Sequence, residues 1–468
     1  MAGIDWSFFV SMAYLCVFLL IGTFLRAHLR ILQRCLIPVP IIAGFLAIIF
    51  GQYVFKVIDP DEMATLVYHF LTLSFIAMGL RGSRVKHSYG TITTLFIHNF
   101  GHNIQGLIGL FFTLFLLLTY LPDIFPTFGI MLNLGFANSP GVAYSIGTAW
   151  EGMGFAGGGQ VGLTVGAIGF LVAYVLGIIL VNWGIRTNKT HYFKGMDEIP
   201  QSVFRGIIKK DEAKVEAGKQ NMAPEAMDSL TLHVAIVGTI FLMTYFFLIN
   251  LTGWMAGFGD LGQDLANVIG GFGFLFGVLI AFVVRKILLT TNLDYLIDDG
   301  LLSRLGGTFV DLMILTGIAG ISFVVIKAYL LEIILLSIIG TICIPLTTYY
   351  FVDKMQIDFK FERFISLFGM LTGTVASGLA LLRIVDPHYD TPVAEDLVYA
   401  GGMNLILSLP LLFLINIPAL GYVKGESIKS ILFVIGCLAA YFLTMFLVWK
   451  IYAVSYFRKR EKSEVLGQ

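Results

Sequence analysis

Two stretches decide the fold: SLFGMLTGTVASGLALLRIVD, residues 366–386, and NLGFANSPGVAYSIGTAWEG, residues 133–152. Each is apolar enough for a membrane but crowded with Gly, Ser and Thr, and neither reads as the run of about 20 apolar residues that crosses a bilayer as one helix. A backbone that stops being helical inside lipid exposes N–H and C=O groups that water cannot reach, so it survives only where protein or a water-filled cavity surrounds it. Both regions, over about 126–150 and 362–386, are therefore predicted to enter the membrane and turn back.

The rest of the chain is built for lipid. Of its 468 residues 57% are apolar and 13% charged, against about 25% charged in a soluble domain, and the mean hydropathy is +0.86. That excludes a soluble enzyme. The 30 basic and 30 acidic residues cancel, so no net field draws nucleic acid; the partner is the lipid bilayer. Windows of about 19 residues predict helices at roughly 4–25, 35–55, 63–80, 89–121 and 159–183, then 229–252, 265–285, 305–325, 328–352, 396–420 and 428–456. The first has no basic segment before it and is expected to be a retained span. Cys16, Cys35, Cys343 and Cys437 lie far apart in apolar segments, a pattern of packing residues and not of a disulfide framework or metal cluster.

Basic residues gather in alternate loops. Arg26, Arg30 and Arg34 follow the first span, Arg81, Arg84 and Lys86 the third, and a larger group the fifth; only Lys56, Lys327, Lys424 and Lys429 fall on the other side. The positive-inside rule then puts the N-terminus outside and the C-terminus in the cytoplasm, with the first hairpin entering from outside and the second from the cytoplasm. The fold class that follows is an all-α polytopic membrane protein. It has two inverted-topology repeats of about five transmembrane helices, each with a re-entrant hairpin, plus one extra C-terminal helix. The repeats cover 1–187 and 229–424, joined by a cytoplasmic linker, 188–228, that holds the polar run KKDEAKVEAGKQ; residues 425–468 form the added helix and tail. LSFIAMGLRGS (73–83) and DLMILTGIAGIS (311–322) fall at corresponding positions, the weak internal similarity that an old duplication leaves.

Broken helices mark a site, because half-helix N-termini favour a carboxylate and unwound carbonyls can hold Na⁺. Asn138, Ser139, Pro140 and Gly141 in the first hairpin, and Thr372, Gly373, Thr374, Ser377 and Gly378 in the second, fit that description; the bland alternative is close helix packing by small residues. GLTVG (162–166) and GFLFG (273–277) are read as packing motifs. Asp311 lies within a span, where a coordinated cation would neutralise it, or its carboxylate reaches the helix end. Arg383 either clamps a substrate carboxylate or reaches cytoplasmic water. Span four carries IHNFGHNIQG (97–106); His98 and His102 share a face but show no third metal ligand, and the side-chain carbonyl of Asn103 is a candidate for Na⁺.

These features together resemble the bacterial glutamate:sodium symporter family. The local matches are IPVPIIAGFL (37–46), FIAMGL (75–80), HNIQG (102–106), GVAYS (141–145) and FGMLTGT (368–374). The resemblance implies sodium-coupled uptake of glutamate or a related amino or dicarboxylic acid, with sodium as the coupling ion. It also implies a homodimer in the bacterial inner membrane and an elevator-like movement. Asn138, Ser139, Gly141, Thr372, Gly373, Thr374, Ser377 and Arg383 are then expected to bind a small anionic or zwitterionic substrate, and Asn103, Asp311 and Thr374 to bind sodium. The chain departs from the family at both hairpins: the first reads GFANSPG, and the second has Gly373, Thr374, Val375 and Ala376 where the family has a Thr-Pro-Thr run. A proton-coupled carboxylate transporter and an ion channel are the alternatives. An intramembrane aspartyl protease is excluded, because Tyr389-Asp390 and the GFGD ending at Asp260 fall on opposite sides in reversed order.

Overall fold

The computed structural model describes residues 7–35, 37–81, 88–191, 204–208, 210, 218–223, 225–322, 326–386 and 390–466. Most of the KKDEAKVEAGKQ run, Arg84, Lys86, Tyr389 and the Asp260 side chain lie outside the described residues. Among the described residues there is helix and loop but no strand. In chain order the first helices are α1 (Ser7–His28), α2 (Arg30–Arg34), α3 (Val39–Leu46), α4 (Pro60–Leu80) and α5 (Tyr89–Thr119). Next come α6 (Pro140–Glu151), α7 (Gly158–Arg186), α8 (Ser229–Ala256), α9 (Asp260–Gly270), α10 (Gly273–Thr290) and α11 (Asp299–Ala319). The remainder are α12 (Leu330–Met355), α13 (Lys360–Leu371), α14 (Val375–Val385), α15 (Val393–Leu407), α16 (Leu409–Leu414), α17 (Ile417–Val423) and α18 (Ser427–Leu466).

Nine helices among the described residues are long and apolar enough to cross a bilayer, and a tenth candidate is the pair Val393–Leu407 and Leu409–Val423, bent by 48°. The protein is a multi-pass membrane protein. Three details differ from the sequence reading. The span expected at 35–55 is α3 followed by a π-helical turn, Ala47–Val54, shorter than the usual ~20 residues. The span expected at 265–285 is divided into α9 and α10, separated at Gly271 and Phe272. The span expected at 396–420 bends at Ser408, just before Pro410, whose ring cannot fit inside a straight helix.

Two compact units cut across the sequence halves. One takes Met1–Ser83, Pro140–Ala167 and Pro200–Tyr329; the other takes Arg84–Ser139, Ile168–Ile199 and Leu330–Gln468. Each therefore collects segments from both halves of the chain.

In the first unit α4 is the centre. Asp59 caps it by accepting the Asp61 N–H at 2.9 Å, and Pro60 supplies the preset φ of a first turn. Ile76, Ala77 and Leu80 of α4 join Val237 and Ile240 of α8, Ala281 of α10 and Leu302 of α11 in one buried cluster. Gly79 and Gly277 let the helices close: a Cβ on Gly79 would stand 2.8 Å from Val278 Cγ2, and one on Gly277 would stand 2.9 Å from Ile76 Cγ1. GFLFG thus packs helices, and so does GLTVG, because Gly162 meets the Ala143 backbone and Gly166 meets Pro140. With Gly147 beside Gly158, α6 runs antiparallel to the first turns of α7. The second unit is organised around α5, which carries the candidate site.

Candidate functional site

α5 serves as a ruler for two shorter arms. Its 31 residues extend about 46 Å at ~1.5 Å per residue, and Ser88 starts it by accepting the Thr91 N–H at 3.0 Å. Helical periodicity puts His98, Gly101, His102, Gln105 and Gly109 on one face. The first arm, residues 128–138, descends this face from the C-terminal end. Gly129 touches the Gly109 backbone and donates its N–H to Thr113 Oγ1 at 2.8 Å; farther in, Asn133 Nδ2 donates to the His102 carbonyl at 2.5 Å. The second arm, α13, climbs from the N-terminal end. Its Arg363 lies over Gly90 and its Leu371 over Gly101, and Gln105 Nε2 donates to the Leu371 carbonyl at 2.9 Å. Approaching from opposite ends of α5, the arms stop within one turn of each other.

Both arms end in a break. The first winds into a π-helix, Asn133–Asn138, and gives way at Ser139 before Pro140, which has no N–H to continue the ladder. The second breaks at Thr372–Thr374 and doubles back as α14. There Gly369 and Gly378 face each other so closely that a Cβ on Gly369 would stand 2.9 Å from Gly378 Cα. The legs α13 and α14 have 12 and 11 residues, too few to cross ~30 Å of hydrocarbon, so the pair is a helical hairpin. Gly169 of α7 sits against both breaks: its absent Cβ would lie 2.8 Å from Phe136 Cδ1 and 2.8 Å from the Thr372 carbonyl oxygen.

The residues singled out in the sequence divide between several roles. Asn138 holds its own turn, donating from Nδ2 to the Asn133 carbonyl at 3.1 Å, and the buried Ser139 donates its N–H to Leu134 at 3.0 Å. Thr372 spends its hydroxyl on the Phe368 carbonyl at 2.7 Å. Ser377 Oγ accepts the Thr374 N–H at 2.9 Å, a helix cap that fixes the start of α14. Gly373 has Phe170 and Ser377 where a side chain would go. These residues build the second break and leave its backbone, more than its side chains, to meet a ligand. Gly141 belongs to the other unit, where it packs on Met313 and Leu71. Asp311 is in that unit as well and is exposed on α11. Arg383 is exposed on α14, roughly 13 Å along the helix from Thr374.

Asn103 does not share the face of α5 that meets the arms. It falls with Asn99 and Gly106; Asn99 Nδ2 donates to Asn404 Oδ1 at 3.0 Å, and Gly106 lies against Leu438, so this stripe faces α15 and α18. Both polar atoms of the buried Asn103 are without a partner. On the face that does meet the arms the counterpart is Gln105, 1% exposed, whose Nε2 is fixed to the Leu371 carbonyl while its Oε1 is unpartnered. An amide anchored at one end and offering a buried oxygen at the other suits a hard cation or the ammonium group of a ligand. The signal for it was in the sequence: Gln105 is seven residues from His98, on the same face. His98 and His102 form no metal pair with a third ligand; their Nε2 atoms are 3.1 Å apart in a hydrogen bond, and no group of three metal-ligating side chains occurs among the described residues.

Arg363 near the start of the second arm is 1% exposed and lies inside the protein. Its Nη1 pairs with Asp396 Oδ2 at 2.7 Å and donates to Thr94 Oγ1 at 3.0 Å, while Nε pairs with Asp358 Oδ1 at 3.0 Å. Asp396 also accepts from Thr91 Oγ1 at 2.5 Å. The network ties the root of α13 to α5 and α15.

No family model matches the chain, and no curated protein matches it. Among solved structures the chain is similar to the sodium proton antiporter MjNhaP1 from Methanocaldococcus jannaschii, at 14% identity over 92% of this chain and 100% of that chain, with a TM-score of 0.29.

Proposed function

We propose that the protein is a secondary active transporter of the glutamate:sodium symporter type, taking up glutamate or a related amino or dicarboxylic acid with Na⁺ by alternating access. The observation that supports this reading is the meeting of two broken arms, from opposite ends of α5, at the buried Gln105 Oε1, an amide oxygen without a partner among the described residues. Irregular backbone at membrane depth together with an unpartnered acceptor is the chemistry of a place where a cation and a polar solute shed water. Gln105 Oε1 and the carbonyls of the Thr372–Thr374 break would receive the cation. The N-terminus of α14 offers partial positive charge to a carboxylate.

Coupling follows if both ligands favour one closed arrangement of the arms, since each then raises the affinity for the other by the same factor. The organisation that goes with this reading is a homodimer in a bacterial inner membrane, with the C-terminus in the cytoplasm and an elevator-like movement of the hairpin-bearing part. Uptake of labelled glutamate and related carboxylates into proteoliposomes tests it: accumulation that follows an inward Na⁺ gradient is expected. Accumulation driven by a pH gradient and indifferent to Na⁺ would replace sodium by protons, and single-channel currents without saturable counterflow would replace the carrier by a channel.

A further inference from the structure

α18 is the element the two-repeat plan does not use. One side of it lies along α5: Tyr441 OH receives the Asn99 Nδ2 hydrogen at 3.3 Å, Tyr89 packs on Tyr452, Tyr456 and Phe457, and Trp449 Nε1 donates to Thr93 Oγ1 at 3.4 Å. Beside that seam runs a groove of about 460 Å³, lined by Phe446, Trp449, Ala453 and Phe457 together with Lys450 and Arg458. All of its lining residues lie on α18, so it is open along one side to the surroundings of the helix. Ala453, 8% exposed, is its floor; the short side chain leaves a dent between the aromatic rings of the neighbouring turns.

The level of the groove along the helix identifies its occupant. Lys429 and Lys450 bracket the apolar part of α18 and stand about 32 Å apart along the axis, close to the ~30 Å of a hydrocarbon core. Phe446 and Trp449 therefore lie where acyl chains end and Lys450 at the height of the headgroups, while Arg458 starts about 12 Å farther out and lines the same groove with its long side chain. Both cations are exposed, and among the described residues neither has an acidic partner. A hydrocarbon slot that ends between two exposed cations is complementary to an amphiphile with an anionic head.

We infer that this groove binds an anionic phospholipid from the surrounding bilayer, the end of its acyl chain along Phe446 and Trp449 and its phosphate over Ala453, between Lys450 and Arg458. The site is independent of the transport reading, because none of its lining residues belongs to the arms or to the face of α5 that meets them. Its test is native mass spectrometry of the full-length protein from micelles containing equal mole fractions of phosphatidylglycerol and phosphatidylcholine. Phosphatidylglycerol is expected to be retained in preference. Lys450→Gln and Arg458→Gln should each weaken retention about fivefold, and Ala453→Leu should release the lipid with both cations in place. Lys429→Gln, at the other end of the span, should leave retention unchanged. Equal retention of the two lipids, equal loss in Lys429→Gln, or displacement by inorganic phosphate alone would overturn the inference. So would a disulfide-linked dimer formed by Ala453→Cys in a cysteine-free background, which would assign the groove to a second copy.

Discussion

Gln105 and Arg363 show how differently two buried polar side chains can serve one site. Gln105 joins α5 to the tip of the second arm through a single bond to the Leu371 carbonyl and keeps an oxygen free. Replacing it by Leu strands that carbonyl, which costs about 1–3 kcal/mol, and removes the oxygen. Gln105→Leu is expected to lower the thermal midpoint modestly and to abolish Na⁺ stimulation of uptake, whereas Asn138→Ala should affect stability far more than sodium dependence. Retained sodium stimulation in Gln105→Leu would remove this residue from the site. Arg363 is held by Asp396, Asp358 and Thr94, and with both members of its inner pair almost fully buried little solvent screens them. Arg363→Met should destabilise by about 3–5 kcal/mol, because the Asp396 carboxylate is then left without its cation. The double variant Arg363→Met/Asp396→Leu should recover most of that loss, as buried pairs often give way to apolar replacements at little net cost. Additive losses in thermal unfolding would show that the two residues do not act as a pair. No local pattern could have marked Arg363 as buried, since its buried partner Asp396 is 33 residues farther along the chain.

At the scale of elements, most of the spans and the break in the second hairpin were legible because both depend on local rules, apolar run length and Gly and hydroxyl content, whereas the breaks inside the spans expected at 265–285 and 396–420 were not. The role of each hairpin residue was less so. Thr372, Ser377 and Asn138 look like ligands by composition, but their polar groups are engaged in the turns that create the breaks. Asn103 and Gln105 are two residues apart in one polar stretch, and only the packing of α5 decides which of them meets the arms. The hairpin itself depends on small residues at its crossing. A Cβ on Gly378 would run into the Ser366 carbonyl oxygen, a backbone atom that cannot swing aside, so Gly378→Ala should cost about 1–3 kcal/mol through overpacking. Gly402 in α15 has nothing within 4 Å of its Cβ position, and Gly402→Ala should be neutral or stabilising by about 0.5–1 kcal/mol from helix propensity. Thermal unfolding of the two variants side by side separates crossing geometry from a general response to alanine; equal effects would mean that the α13–α14 contact carries no stability.

For the whole molecule, composition was enough for the membrane assignment, and the recurrence of long apolar runs for nearly all of the spans. The compact units were not legible, because each assembles segments from both halves of the chain and no local signal records which helix packs on which. Within the α5-centred unit, membrane sidedness offers the sharpest test of the arrangement. The first arm begins just after Asp123 near the C-terminal end of α5, and the second begins at Lys360 near its N-terminal end; both residues are exposed. If α5 crosses the bilayer, these two roots lie on opposite faces, and the charge pattern puts Asp123 outside and Lys360 in the cytoplasm. Single cysteines at 123 and 360, in a chain from which Cys16, Cys35, Cys343 and Cys437 have been removed, should therefore react with a membrane-impermeant maleimide from opposite sides of intact cells: position 123 before lysis and position 360 only after it. A third cysteine at Asp390, beyond the return leg α14 and likewise exposed, should behave as position 360 does, because a hairpin brings the chain back to the face it left. Labelling of 390 from the outside would turn α13 and α14 into a crossing segment, and labelling of 123 and 360 from the same side would remove the opposed arms on which the transport proposal depends.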